Sequence, residues 1–185
     1  MDVPILNLSS LTNMAVFVLE TSDEKRMRCI QMIAKNKDNV QIVAHERSSH
    51  LYGWSPTVKT IYHSEDYDNV GGSICIFDDC FANKDWIQDS KLLHLVSYPR
   101  MFGVISVFGF SQFYRLPPRM CWNLDLVCIG ENPSPHTRTL LHESFFLYIV
   151  SYDEFCELLD RYTKENGYFI LRREGTEDTL YHATC

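Results

Sequence analysis

The chain is poor in basic residues. Across 185 positions, 17 Lys and Arg stand against 24 Asp and Glu, a formal net charge of −7. A protein that grips duplex nucleic acid unaided presents a basic face, whereas here only short pairs occur, such as Lys25-Arg26 and Arg172-Arg173. Autonomous nucleic-acid binding is therefore disfavoured. No apolar run approaches the roughly 18–20 residues that a membrane-spanning helix needs, so no span is expected. Residues 1–14 lack both a basic n-region and a long apolar stretch, which argues against a secretory leader. The seven cysteines, at positions 29, 75, 80, 121, 128, 156 and 185, include no C-x-x-C pair, so neither a zinc knuckle nor a dithiol redox motif is indicated. Most lie inside apolar runs, Cys75 in SICIF and Cys128 in LVCIG, and read as reduced core thiols. The histidines, among them His45, His50, His63 and His142, show no ligand spacing such as H-x-x-x-H, and scattered surface or core positions are the expectation.

What is present is ordinary globular material, 45% hydrophobic and 13% aromatic, in a length that fits one domain with a sizeable core. Short apolar runs alternate with helical patterns. The run AVFVL at 15–19 has the continuous hydrophobicity of a strand buried on both faces. Met27, Ile30, Ile33 and Ala34 then fall on one helical stripe. Strands are predicted at 40–44, 59–62, 73–77, 104–110, 124–129 and 168–171, and a helix at 86–98. Ser151 and Glu154 form a capping box opening a helix that carries Phe155, Leu158, Leu159 and Tyr162. Strands separated by helical crossovers imply an α/β fold, a mostly parallel sheet with helices on both faces. Residues 1–173 read as one domain, and 174–185 as a polar, loosely ordered tail. Tyr52, Trp54, Tyr62 and Tyr67 lie in a polar stretch and are candidates for a docking surface.

Ligands of such sheets bind beyond the carboxyl ends of the strands. Three segments sit there: residues after Leu19, the pair Asp78-Asp79 after ICIF, and Ser111-Gln112 after the strand ending at Phe110. Strand ends are common places for Asp and for polar turns, so each is weak alone. Their order is more specific. The segments ICIFDDCF, KLLHLVSYPRMFGVISVFGFSQFYRLPPRMCWNLDLVCIG and HESFFLYIVSYDEFCELLDRYTKENGYFILRR resemble, in sequence, the genome-packaging ATPases of poxviruses and other large DNA viruses, which are P-loop ATPases of the FtsK–HerA class. The resemblance runs from about Leu6 to Arg173. It implies a RecA-like core in which Asp78 is the magnesium-binding acid of the Walker B strand, Asp79 stands at the catalytic acid position and Gln112 is the sensor. Arg100 matches a basic position associated in the family with action across subunits.

The departure lies in the first loop. Where the family has G-x-x-x-x-G-K-[ST], this chain has Glu20-Thr21-Ser22-Asp23-Glu24-Lys25-Arg26-Met27. Glu20 and Lys25 stand for the glycines, Arg26 for the lysine and Met27 for the hydroxyl residue. A phosphate cradle built of backbone N–H groups favours glycine conformations. Glu20, Asp23 and Glu24 place acids where a polyanion would sit, and a like-charge contact at ~4 Å costs about 4 kcal/mol at an effective dielectric near 20. Met27 has no oxygen for magnesium, and a guanidinium does not replace a lysine in such a cradle. The expectation is a catalytically inactive relative with a degenerate Walker A loop and no cofactor, acting through protein–protein contacts with other viral structural or packaging proteins, with self-association open to it. Its setting would be the virion or the infected-cell cytoplasm. The alternative is an active ATPase with an unorthodox phosphate loop, using Mg-ATP to drive viral DNA packaging.

Overall fold

A computed structural model describes residues 2–37, 40–44, 59–61, 74–78, 90–113, 116, 118–131, 133–175 and 177–185. Its strands are β1 (Ala15–Leu19), β2 (Val40–Ala44), β3 (Lys59–Ile61), β4 (Ile74–Asp78), β5 (Ile105–Phe110), β6 (Leu126–Ile129), β7 (Gly167–Glu174) and β8 (Glu177–Thr184). The helices are α1 (Asp23–Ala34), α2 (Ser90–Ser97), α3 (Pro99–Phe102), α4 (Pro118–Asn123), α5 (Pro135–Leu141) and α6 (Tyr152–Tyr162), with a π-helical turn at His142–Phe146 between the last two.

The strands form one sheet in the order β3-β2-β4-β5-β1-β6-β7-β8. Neighbours from β3 to β6 are parallel, and β7 and β8 add antiparallel. The mostly parallel α/β architecture read from the sequence is thus the one observed. The central parallel strands are mostly apolar, β1 and β5 being buried at every position, because helices cover both faces. Side chains alternate between two cores. Val16, Val18, Ile76 and Val107 pack with Met27, Ile30 and Ile33 of α1 on one face. Phe17, Phe77, Phe108 and Phe169 pack with Leu95 of α2, Met120 of α4 and Phe155 of α6 on the other. The division follows from chain direction. The α1 crossover moves from β1 toward the β3 edge, whereas those through α2 and α4 move back toward β6, so right-handed connections place them on opposite faces.

Reversal of direction beside β1 opens a crevice at the carboxyl ends of β1, β5 and β6. The opposite, amino end of the sheet is tied through the start of β1. Asp125 accepts the Ala15 N–H at 2.8 Å, and burial raises its carboxyl above the usual range although that bond opposes the shift. Of the described cysteines, Cys29, Cys75, Cys121 and Cys128 are buried and none is in a disulfide. Burial pushes the Cys75 thiol up to about 12. Cys80 lies outside the described residues, as do His45, His50, His63, Tyr52, Trp54, Tyr62 and Tyr67. His142 is a satisfied core residue, its Nε2 being 2.8 Å from the Val150 carbonyl oxygen.

The expected loose tail needs correction. Residues Glu177–Thr184 form the edge strand β8, paired with β7 along eight positions from Gly167↔Thr184 to Glu174↔Glu177. The polar composition misled because an edge strand exposes one face, and only Leu180 and Ala183 of β8 are buried. The segment before β1 covers part of the outer edge, with Leu6 N–H donating to the His182 carbonyl at 2.8 Å and His182 N–H to that of Pro4 at 2.9 Å. Truncation after Glu174 is expected to lower the thermal unfolding midpoint by several degrees, since it unpairs β7 and uncovers part of both cores; an unchanged midpoint in calorimetry would place β8 outside the cooperative unit.

Candidate functional site

The stretch that corresponds to a phosphate loop is a three-residue turn followed by a capped helix. Glu20 extends the sheet by one residue, its N–H donating to the Phe110 carbonyl at 3.0 Å. Ser22 has extended dihedrals and its side chain accepts from Lys25 N–H, which opens α1 at Asp23. Asp23, Glu24, Lys25, Arg26 and Met27 are consequently helical and do not wrap a ligand. Asp23 and Glu24 suit the first turn, where acids face the positive end of the helix dipole.

Arg26 is 1% exposed and Asp78 is 0% exposed. The guanidinium reaches from α1 to the end of β4, with Nε donating to Asp78 Oδ1 at 2.7 Å and Nη2 lying 3.4 Å from Oδ2. Nη1 donates to the Glu20 carbonyl at 3.0 Å and Nη2 to Asp23 Oδ1 at 2.7 Å. One side chain thus ties the end of β1, the first turn of α1 and the end of β4. Such a pair adds little net stability over a well-packed apolar pair, but removing one partner strands the other charge.

Glu20 is 2% exposed and makes a second internal closure. Its Oε1 accepts from Ser22 N–H at 2.9 Å and its Oε2 from Glu131 N–H at 3.0 Å. Lys25 Nζ is bonded to the Glu131 carboxylate, and that bond holds the lysine above its ordinary pKa. Each of the three loop acids has a partner within the chain: Glu20 takes amides, Asp23 pairs with Arg26 and Glu24 with Arg28. Met27 is a core residue on the inner face of α1.

Two glycines make these closures possible. A Cβ on Gly109, the register partner of Asp78, would lie 2.5 Å from Asp78 Oδ1 and 3.4 Å from Arg26 Cδ. On Gly130 it would lie 2.0 Å from Glu20 Oε2. Sequence reading passed over both, along with Glu131; the available signal was a glycine inside or ending an apolar strand, which marks a close approach.

Gln112 follows β5, which stands between β1 and β4 in the sheet. With Ser111 it lines a cavity of about 390 Å³ that also touches Glu20, Thr21, Gly130 and Thr137. The structure therefore brings Glu20, Gln112 and Asp78 to one end of the sheet. Arg100 is at the other end, ahead of β5 and roughly 20 Å away by strand length, 77% exposed and 3.9 Å from Asp125. Within one chain it does not meet Asp78. Asp79 lies outside the described residues. Among the described residues no cluster of three or more His, Cys, Asp or Glu side chains is arranged to hold a metal ion.

The fold has counterparts among solved structures. Genome packaging NTPase B204 of Sulfolobus turreted icosahedral virus 2, in complex with AMPPCP, aligns with a TM-score of 0.64 at 12% identity, covering 91% of this chain and 97% of that one. B204, the DNA-packaging ATPase from Sulfolobus turreted icosahedral virus, gives 0.62 at 12% identity over 91% and 97%. The sulfate complex of the former gives 0.61 at 13% over 91% and 95%. The chain shares its mostly parallel α/β fold with these packaging NTPases. No family model matches the chain, and no curated protein does.

Arg26→Met is expected to destabilise the protein by about 3–5 kcal/mol by leaving Asp78 buried without its cation. Adding Asp78→Asn should recover part of that loss. Denaturant titration measures both, and additive losses in the double variant would show that the pair is not coupled.

Proposed function

We propose that this chain is a catalytically inactive relative of viral packaging ATPases that serves as a structural or assembly component of a virion through protein–protein contacts. The observation that carries the reading is the buried Arg26–Asp78 pair. Asp78 is the acid that would hold a hydrated magnesium, and a guanidinium bound to its carboxylate at 2.7 Å leaves that oxygen already paired and puts a positive charge where a second cation would have to enter.

The loop chemistry supports the same reading from two further sides. In a phosphate cradle, backbone amides point at the ligand; here the Ser22 and Glu131 amides point at the Glu20 carboxylate. A buried carboxylate in that position repels a polyanion and already supplies the acceptors those amides require. Met27, turned into the core, offers magnesium no oxygen. The residues present therefore do not fit magnesium nucleotide, and no catalytic step is derived through it. The degenerate Walker A loop is, on this reading, closed by its own side chains.

Partners are drawn, by the same proposal, from viral structural or packaging proteins, in the virion or in the infected cell. Among the described residues no helix is long and apolar enough to cross a membrane.

Titration of the full-length protein with Mg-ATP in a calorimeter is the deciding experiment, with phosphate release measured alongside. No binding heat and no hydrolysis above the buffer blank are expected. Micromolar binding accompanied by turnover would overturn the proposal in favour of the active packaging ATPase with an unorthodox loop.

A further inference from the structure

The end of the sheet remote from Asp78 has a different character. Six of the eight exposed large apolar side chains among the described residues gather there: Tyr98, Met101, Phe102, Trp122, Leu147 and Tyr148. The first three precede β5 and Trp122 precedes β6, so all four stand at the amino ends of parallel strands. Leu147 and Tyr148 follow the run of α5 and the π turn away from the carboxyl end, and α6 then returns to the start of β7. Arg173 joins the two groups, its Nη1 donating to the Cys121 carbonyl at 2.6 Å while its guanidinium lies 5.7 Å from the Phe145 ring centre.

Exposure on this scale is unusual for isolated apolar side chains. Trp122 is 77% exposed, Met101 73% and Tyr148 95%. Tyr98, Met101 and Trp122 border one cavity; clustered apolar surface marks interaction sites, and Trp, Tyr, Met and Arg are the residues enriched there. A cavity of about 530 Å³ sits in the face, bordered by Tyr98, Arg100, Met101 and Trp122 together with Asp125 and Asp178.

The charges on that rim indicate what covers it. Arg100 extends into solvent and, among the described residues, forms an ion pair with Asp125 at 3.9 Å, whose other oxygen accepts the Ala15 N–H. Asp178 is 39% exposed and only 3.7 Å from Arg173. An acidic or a basic partner would call for a rim of one sign. This rim carries an exposed cation and an exposed anion around one cavity, which is the pattern a surface needs when it must complement itself.

We propose that this face binds a second copy of the chain about a two-fold axis, with Arg100 of each copy meeting Asp178 of the other and Trp122 in the apolar centre. The contact is isologous and closed, giving a dimer and not a ring. It lies at the opposite end of the molecule from the Arg26–Asp78 pair, so it stands or falls separately from the absence of nucleotide binding.

Sedimentation velocity of the full chain over a concentration series tests it. Wild-type protein is expected to form a dimer and nothing larger. Arg100→Asp and Asp178→Arg should each weaken dimerisation at least about tenfold, because both contacts become repulsive in a homodimer. Mixing the two variants should restore a dimer, since both contacts then join opposite charges. Trp122→Glu, at an exposed position, is a second probe and should leave a monomer; circular dichroism confirms that each variant is folded. A wild-type monomer at every concentration, a dimer indifferent to these changes, a mixture no tighter than either variant, or open-ended assembly would overturn the proposal.

Discussion

A guanidinium that is 1% exposed has to have its charge and its donors answered from inside the protein, and at Arg26 this requirement organises the whole carboxyl end of the sheet. Asp78 supplies the opposite charge, the Glu20 carbonyl and Asp23 supply further acceptors, and each belongs to a different element. The helix therefore has to start at Asp23, close enough for its own first turn to reach back. β5 has to carry a bare position at Gly109, because any side chain there would collide with Asp78. The early helix start, the bare strand position and the occupied acid are thus consequences of one buried charge.

Glu20 repeats the pattern with the opposite sign. A carboxylate 2% exposed at the end of the central strand is satisfied by two amides, from Ser22 on its own loop and Glu131 on the far side of β6. Anions bind where amides converge, and here the anion is part of the chain. The proposed loss of nucleotide binding is therefore more than the absence of a motif. On that proposal side chains take both the anion's place and the cation's place; in the structure they hold together the ends of β1, β4 and β6.

The two ends of the sheet consequently divide the work of the molecule. At the carboxyl end, polar groups are turned inward and paired. At the amino end, aromatic and sulfur-containing side chains stand in solvent around Arg100. Both ends rest on the same two cores, whose shared sheet is apolar on both faces. Such packing keeps the fold stable without a ligand, and function is set by sites and surfaces, not by the fold itself.

The central parallel strands were legible from sequence because a strand covered on both faces is almost continuously apolar, and AVFVL, ICIF and ISVFGF carry that mark, with Ser106 the one polar side chain among them. The α6 cap and stripe were legible for a similar reason, since Ser151 and Glu154 and the spacing of Phe155, Leu158 and Leu159 are local. β8 was not, because an edge strand with one solvated face has the composition of a loop. Also legible was that residues 20–27 lack every phosphate-loop signature residue. What took their place was not: whether Arg26 points to solvent or clasps Asp78 depends on how α1 lies across β1, β5 and β4, a relation between residues 52 positions apart. Composition and period thus determined the layered sheet and the absence of signature residues in the first loop, whereas only the tertiary structure decided that Glu20, Arg26 and Asp78 are partnered within the chain, because those contacts join residues far apart in sequence.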